Sequence, residues 1–360
     1  MTDSNRSFNL WMGIYIPAVV CVLGIIGNIL SFVVLSYNKG NYPTFFSLKA
    51  LAAWDILLLF MALWVQVVPI ACTTHELHSL FCMSVEVSRI YMWPVICIAQ
   101  MNSIWLTVII SAERYRAICC PMSSVGCQSH KRVRGSVVLL LILSILYNFP
   151  RFFEYQPAQA LDDKNETIYY PGDTQLRVNL VYRYLYNTAL YCIVMYIIPL
   201  ATLAFLNYKL VRQMREATRR WAELNRLQQR EFKATAIPIC IVVIFSLTGS
   251  QSLVSFVLDS IFVHDYIEWI QRYTAVANLL VTINSAVNFI IFYIFGSKFR
   301  ALLRRLCLCG FYARPQLQTA NTPIYRKRFN TALKNSSGNS SSRNFRGSFR
   351  AQNGNEVHEL

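Results

Sequence analysis

The sequence predicts an all-α membrane protein, a seven-transmembrane helix bundle with a short amphipathic membrane-surface helix after helix 7. Three observations carry that prediction. Seven apolar runs recur along the 360 residues, each containing the roughly 20 predominantly apolar residues that a helix needs to cross the hydrocarbon core. The chain is 55% hydrophobic and only 14% charged, so little remains outside the runs to build a water-soluble core. The third run ends in Glu113-Arg114-Tyr115, a charged pair placed where a helix leaves the bilayer.

The elements follow in order. Residues 1–10 lack the basic start of a signal peptide, and the apolar run after them is too long to be one, so an extracellular N-terminus and a retained helix 1 are expected. Helices 1 to 4 are placed at about 11–37, 46–72, 83–119 and 134–153, with an outer loop over about Glu154–Tyr182. Helix 5, about 183–210, continues into a basic segment from Lys209 to Lys233, where Arg212, Arg215, Glu216, Arg219, Arg220, Glu223 and Arg226 recur at helical spacing. That face reads either as a solvated surface near anionic lipid or as a docking surface for a cytoplasmic partner. Helices 6 and 7 are placed at about 232–263 and 269–295. The surface helix, 297–309, alternates basic and apolar residues and ends on Cys307 and Cys309, placed either for S-palmitoylation or as plain cytosolic thiols. Residues 311–360 are rich in Ser, Asn and Arg and are expected to form a disordered cytoplasmic tail, open to a kinase and to arrestin.

A net charge of +16 suggests nucleic acid until its distribution is followed. Lys39, the cluster Lys131 to Arg134, the Lys209–Lys233 stretch and the tail all fall on one side of a seven-span topology. Glu76, Asp162, Asp163, Glu166, Asp173, Asp265 and Glu268 fall on the other. The positive-inside rule then predicts a multi-pass plasma-membrane protein with its C-terminus in the cytoplasm. The sequons at Asn5 and Asn165 lie outside, where glycosylation occurs, and no nucleic-acid partner is expected.

Polar residues inside the spans are expensive and mark function by default. Asp55 sits in the middle of helix 2, and Asn28, Ser103, Asn284, Ser285 and Asn288 lie at similar depth in helices 1, 3 and 7. Together they form a candidate cluster for water or a structural sodium ion at Asp55, with no other cofactor or metal expected. Each also reads as an ordinary bond to a neighbouring helix. Arg114 pairs locally with Glu113 in this reading, and Glu231 at the start of helix 6 offers a second partner, making a latch at the inner rim.

These motifs resemble the rhodopsin-like G-protein-coupled receptors: Gly27-Asn28, Leu51-Ala52-Ala53-Trp54-Asp55, Glu113-Arg114-Tyr115, Pro199, and Asn288-Phe289-Ile290-Ile291-Phe292. Asn148-Phe149-Pro150-Arg151-Phe152-Phe153-Glu154 and Asn284-Ser285-Ala286-Val287-Asn288-Phe289 are similar to the FMRFamide-type neuropeptide receptors of invertebrates. The departures are plain. Helix 6 lacks the family's Trp and Pro, helix 4 lacks its Trp, and helix 7 has Phe289 where most members carry Pro; a helix 6 bend is expected near Pro238. The resemblance implies a tie between the top of helix 3 and the second outer loop, yet that loop has no cysteine. Cys82 is left with Cys72 as its outward candidate, either bridged or both free.

The resemblance further implies a ligand and a switch. Ile96 lies 114 − 96 = 18 residues before Arg114, where amine receptors carry Asp, which argues against an amine. Aromatic and polar residues (Tyr91, Gln100, Tyr191, Trp269 and Tyr273) with carboxylates (Glu86, Glu154 and Asp259) suit a peptide ending in Arg-Phe-amide; the rings also read as an interfacial belt. Helix 6 would swing out and free Arg114 for a heterotrimeric G protein, with Glu113, Tyr115, Glu231, Asn288 and Phe292 as the switch. The competing reading is a chemosensory receptor of the same fold for a small odorant. An enzyme is not expected, since His75, His78, His130, His264 and His358 fall in loops or the tail.

Overall fold

Hydrocarbon leaves a spanning backbone few options, and the apolar runs satisfy their own peptide groups as helices. The computed structural model describes residues 7–37, 43–74, 80–119, 130–161, 167–220, 243–258, 261 and 268–309. Five helices are long and apolar enough to span: α1 (Leu10–Tyr37), α2 (Phe45–Thr74), α3 (Leu80–Ala117), α4 (Lys131–Phe153) and α5 (Tyr182–Gln213). Of α6 the described part is Val243–Leu258, and of α7 Glu268–Ala286 plus Asn288–Ile294, two pieces bent by 40°. The surface helix α8 covers Ser297–Cys309. Pro238, and with it the expected helix 6 bend, lies outside the described residues.

The ends move by a few residues from the sequence expectation. Helical backbone begins at Asn9, Pro43, Leu80 and His130, and the helix of α5 continues to Arg220, since basic and aromatic side chains let a helix emerge from hydrocarbon without ending. The larger difference is the outer loop. It folds as a hairpin, β1 (Tyr155–Leu161) against β2 (Thr167–Asp173), antiparallel with Tyr155 opposite Asp173. Next to it Cys72 and Cys82 are disulfide-bonded, tying the outer end of α2 to the start of α3.

Position in the bundle follows from burial. In its most apolar stretch α3 is 72% buried and α4 22%, so α3 is the axis and α4 lies at the lipid boundary, with Leu143 and Leu146 facing outward. Three apolar clusters surround that axis. One gathers Leu51, Leu106, Ile110 and Phe292 at the inner end, one Met101, Met195, Leu203 and Phe245 between α3, α5 and α6, and one Leu59, Ile96 and Cys97 towards the outside. Gly24 and Gly27 bring α1 against α7: a Cβ on Gly24 would stand 2.7 Å from the Cβ of Ala286, and one on Gly27 2.9 Å from that of Phe289.

Candidate functional site

Three polar regions lie along the bundle. At mid-depth Asp55 is fully buried. Its Oδ1 accepts from Ser103 Oγ at 2.6 Å and its Oδ2 from Asn288 Nδ2 at 2.6 Å, with the Ser285 hydroxyl beside the same carboxylate. Asn28 donates to the carbonyls of Gly24 (2.9 Å) and Ser285 (3.0 Å). Asn284 lines a small adjoining void of about 20 Å³ with Ser103, Ser285, Gln100 and Thr248. The structure thus brings the six predicted residues to one level and joins α1, α2, α3 and α7 through them. The bend in α7 falls at Val287 (ψ −10°), beside Asn288, so no proline is needed to break the helix there.

At the inner end Glu113 is buried and its Oε1 accepts from Ser47 Oγ at 2.9 Å, a partner that the sequence did not reveal. Arg114 and Tyr115 are half-buried, and Glu113 is the charged neighbour acting on Arg114. Glu231 lies outside the described residues, as do Asn5, Asn165 and Asp259. Phe292 packs beside Phe299 of α8, ring centroids 6.0 Å apart. Arg300 donates to the carbonyls of Tyr293 (2.8 Å) and Ile294, so a cation closes the exposed carbonyl end of α7.

At the outer end a cavity of about 1430 Å³ opens between the helices and the hairpin. Glu86, Ile96, Gln100 and Tyr191 of the predicted ligand set line it, together with Trp93, Arg151, Asp173, Arg177, Asn187 and Tyr196. Glu86 is paired with Arg89 at 2.7 Å. Burial pushes the Tyr155 phenol above its ordinary range, opposed by the Arg177 cation 5.0 Å from its ring, so it stays neutral at physiological pH.

Four predicted contacts stand elsewhere. Glu154 does not line the cavity. It is fully buried and occupied, lying 3.5 Å from Arg151 Nη1 and 3.4 Å from Arg177 Nη1 and accepting from Tyr182 Oη at 2.9 Å. A carboxylate at the foot of the hairpin is met by the guanidinium one turn earlier before any ligand can reach it. Tyr273 donates to Gln251 Oε1 at 2.7 Å and braces α7 to α6. Tyr91 and Trp269 are each 55% exposed and do not line the cavity, as suits residues of an interfacial belt.

The comparisons agree with this architecture. The pattern of the 7 transmembrane receptor (rhodopsin family) matches residues 27–292. An FMRFamide receptor of Drosophila melanogaster is 30% identical over 312 residues, 86% of this chain and 55% of that protein. An FMRFamide peptide receptor of Caenorhabditis elegans is 29% identical over 303 residues, 79% of this chain and 66% of its own length. A neuromedin-U receptor 2 of Homo sapiens is 23% identical over 335 residues, 87% of this chain and 76% of that one. This chain therefore spans between about half and two thirds of the length of the two FMRFamide relatives. With a bundle built around α3, an intramembrane Asp55 cluster and a pattern match over most of its length, the chain belongs to the rhodopsin family of seven-transmembrane receptors.

Proposed function

We propose that the protein is a plasma-membrane receptor for an extracellular peptide of the RFamide class, that the outer cavity receives the peptide, and that opening of α6 presents Arg114 to a G protein. The observation that carries this is the cavity of about 1430 Å³, lined by rings, cations and the carboxylates Glu86 and Asp173. Small-molecule pockets run to roughly 300–1,000 Å³, so a small odorant would leave much of it unfilled. The peptide's arginine pairs with Glu86 or Asp173, and its terminal phenylalanine packs against Trp93, Tyr191 and Tyr196.

Hydrogen bonds from Tyr273 to Gln251 and from Ser255 Oγ to Thr274 Oγ1 at 2.9 Å hold α6 to α7 at this end. A peptide that favours their rearrangement shifts α6, and carrying the receptor from 1:99 to 99:1 open takes a differential affinity of about 10⁴, or about 5.5 kcal/mol. In this reading the N-terminus is outside and the tail cytoplasmic, with Glu231 completing the inner latch. Asn5 and Asn165 carry glycans, Cys307 and Cys309 carry lipid, and a kinase and arrestin act on the tail. The oxygens of Asp55, Ser103 and Ser285 fit a sodium ion, a hard cation that takes carboxylate and hydroxyl ligands, and the buried Asn28 Oδ1 has no hydrogen-bond partner among the described residues.

The test is a calcium and cyclic-nucleotide reporter assay in cells displaying the receptor, run against a library of amidated peptides. Activation by peptides ending in Arg-Phe-amide is expected; activation only by small volatile compounds would reject the peptide class.

A further inference from the structure

The wall of the outer cavity carries buried polar atoms that no described residue satisfies. Among the described residues, three of its lining side chains hold a buried polar atom without a hydrogen-bond partner: Nη2 of Arg151, Nε1 of Trp93 and Oδ1 of Asn187. Arg151 is 1% exposed and Asn187 3%. Buried polar atoms are nearly always satisfied, so three around one cavity point to an occupant.

Their placement is mutual. The Arg151 guanidinium lies 5.0 Å from the centre of the Tyr191 ring on α5 and shares the cavity lining with Cys97 of α3. Trp93 precedes Cys97 by four residues and Asn187 precedes Tyr191 by four, so each lies about one helical turn towards the outer end, on the face that its own helix turns to the cavity.

Resting on the peptide reading above, we infer that Arg151, Trp93 and Asn187 form a subsite for a primary carboxamide, the amidated C-terminus of the ligand. A carboxamide oxygen accepts two hydrogen bonds and its NH₂ donates two. Arg151 Nη2 and Trp93 Nε1 supply donors for the oxygen, and Asn187 Oδ1 accepts from the NH₂. A free carboxylate has no N–H for Asn187 and sets its charge against that oxygen. Glu154, 3.5 Å from Arg151, already balances the guanidinium, so the subsite has no need of an anion.

The experiment uses cells displaying the full chain and two probes, Phe-Met-Arg-Phe-amide and the same tetrapeptide with a free carboxylate. G-protein activation is read against surface expression for the unaltered chain, Trp93→Phe, Asn187→Leu and Asn187→Asp. Arg151 is too tightly held by Asn148 and Glu154 for its own variant to be decisive. The amide is expected to be at least about tenfold more potent than the acid. Asn187→Leu removes the acceptor that only the NH₂ uses and should lower amide potency about five- to tenfold without weakening the acid. Trp93→Phe removes a donor that either oxygen accepts and should lower amide potency by a similar factor, while Asn187→Asp, which keeps the acceptor, preserves the preference. Where a variant reaches the surface without signalling, the thermal shift that each probe gives the detergent-solubilised protein supplies the same comparison. An amide preference untouched by Asn187→Leu, or an amide potency untouched by Trp93→Phe, overturns the subsite alone. An unaltered receptor that answers neither probe overturns the ligand class, and the carboxamide with it.

Discussion

Asp55 and Glu113 are both buried acids, yet their surroundings differ in kind. Asp55 accepts from donors on two other helices, and Asp55→Asn leaves one acceptor oxygen: kept for Asn288 Nδ2, it sets the amide N–H on Ser103, whose hydroxyl must give up its bond and turn to accept. The expected loss is about 1–3 kcal/mol, seen as a lower melting temperature of the purified receptor and a weaker maximal response; an unchanged melting curve would refute it. Glu113 accepts from the hydroxyl of Ser47 across the α2–α3 seam. Ser47→Ala should therefore raise basal reporter signal about two- to fivefold, on the scale of one hydrogen bond, and a flat baseline in both Ser47→Ala and Glu231→Ala would remove the latch. At the outer end Glu86 lines the cavity proposed for the peptide, whereas Glu154 does not. Glu86→Gln should weaken Arg-Phe-amide potency about tenfold, the cost of losing a charge-assisted bond, with dose–response curves as the check. Asp55 was legible in the sequence because a carboxylate in hydrocarbon needs a reason. Ser47 was not, since a serine on a helix satisfies itself on its own backbone and announces no partner.

Elements behave by what they press against. α1 and α7 meet at Gly24 and Gly27 with no room for a further carbon, so Gly24→Ala must push on the backbone of Ala286, whose Cα would lie 3.1 Å from the new methyl. Overpacking of this kind costs about 1–3 kcal/mol, and the bend at Val287 is where the strain arrives; fluorescence-detected melting should fall, and an unshifted midpoint would show that α1 slides freely. The Cys72–Cys82 bond closes a short stretch, ten residues apart in sequence, between α2 and α3. Cys82→Ser should lower stability by about 2–3 kcal/mol through the freed loop entropy and reduce surface expression; alkylation of Cys82 in the native, unreduced receptor would contradict the bond. The hairpin itself escaped the sequence reading because its strands carry mixed polar residues with no clean alternation, and Pro157 and Pro171 argue against ordinary strands. They sit opposite one another in the register, where neither needs to donate to the ladder.

For the whole molecule, the charge asymmetry carries the proposed orientation. A C-terminal epitope should be stained only after permeabilisation and an N-terminal one without it; staining of the C-terminal tag on intact cells would invert the bundle and move Arg114 to the wrong side for any G protein. The sequence alone determined which segments leave water and which side chains inside them demand a partner, because hydrocarbon sets both the span length and the cost of an unpaired polar group. Tertiary structure alone decided who the partners are. Glu154 and Glu86 read alike along the chain, but helix rotation and the fold of the hairpin turn one onto Arg151, Arg177 and Tyr182 and leave the other on the cavity wall. Pairing depends on distances across the bundle, and residues 103 and 288 come to share one carboxylate only once α3 and α7 have packed beside α2.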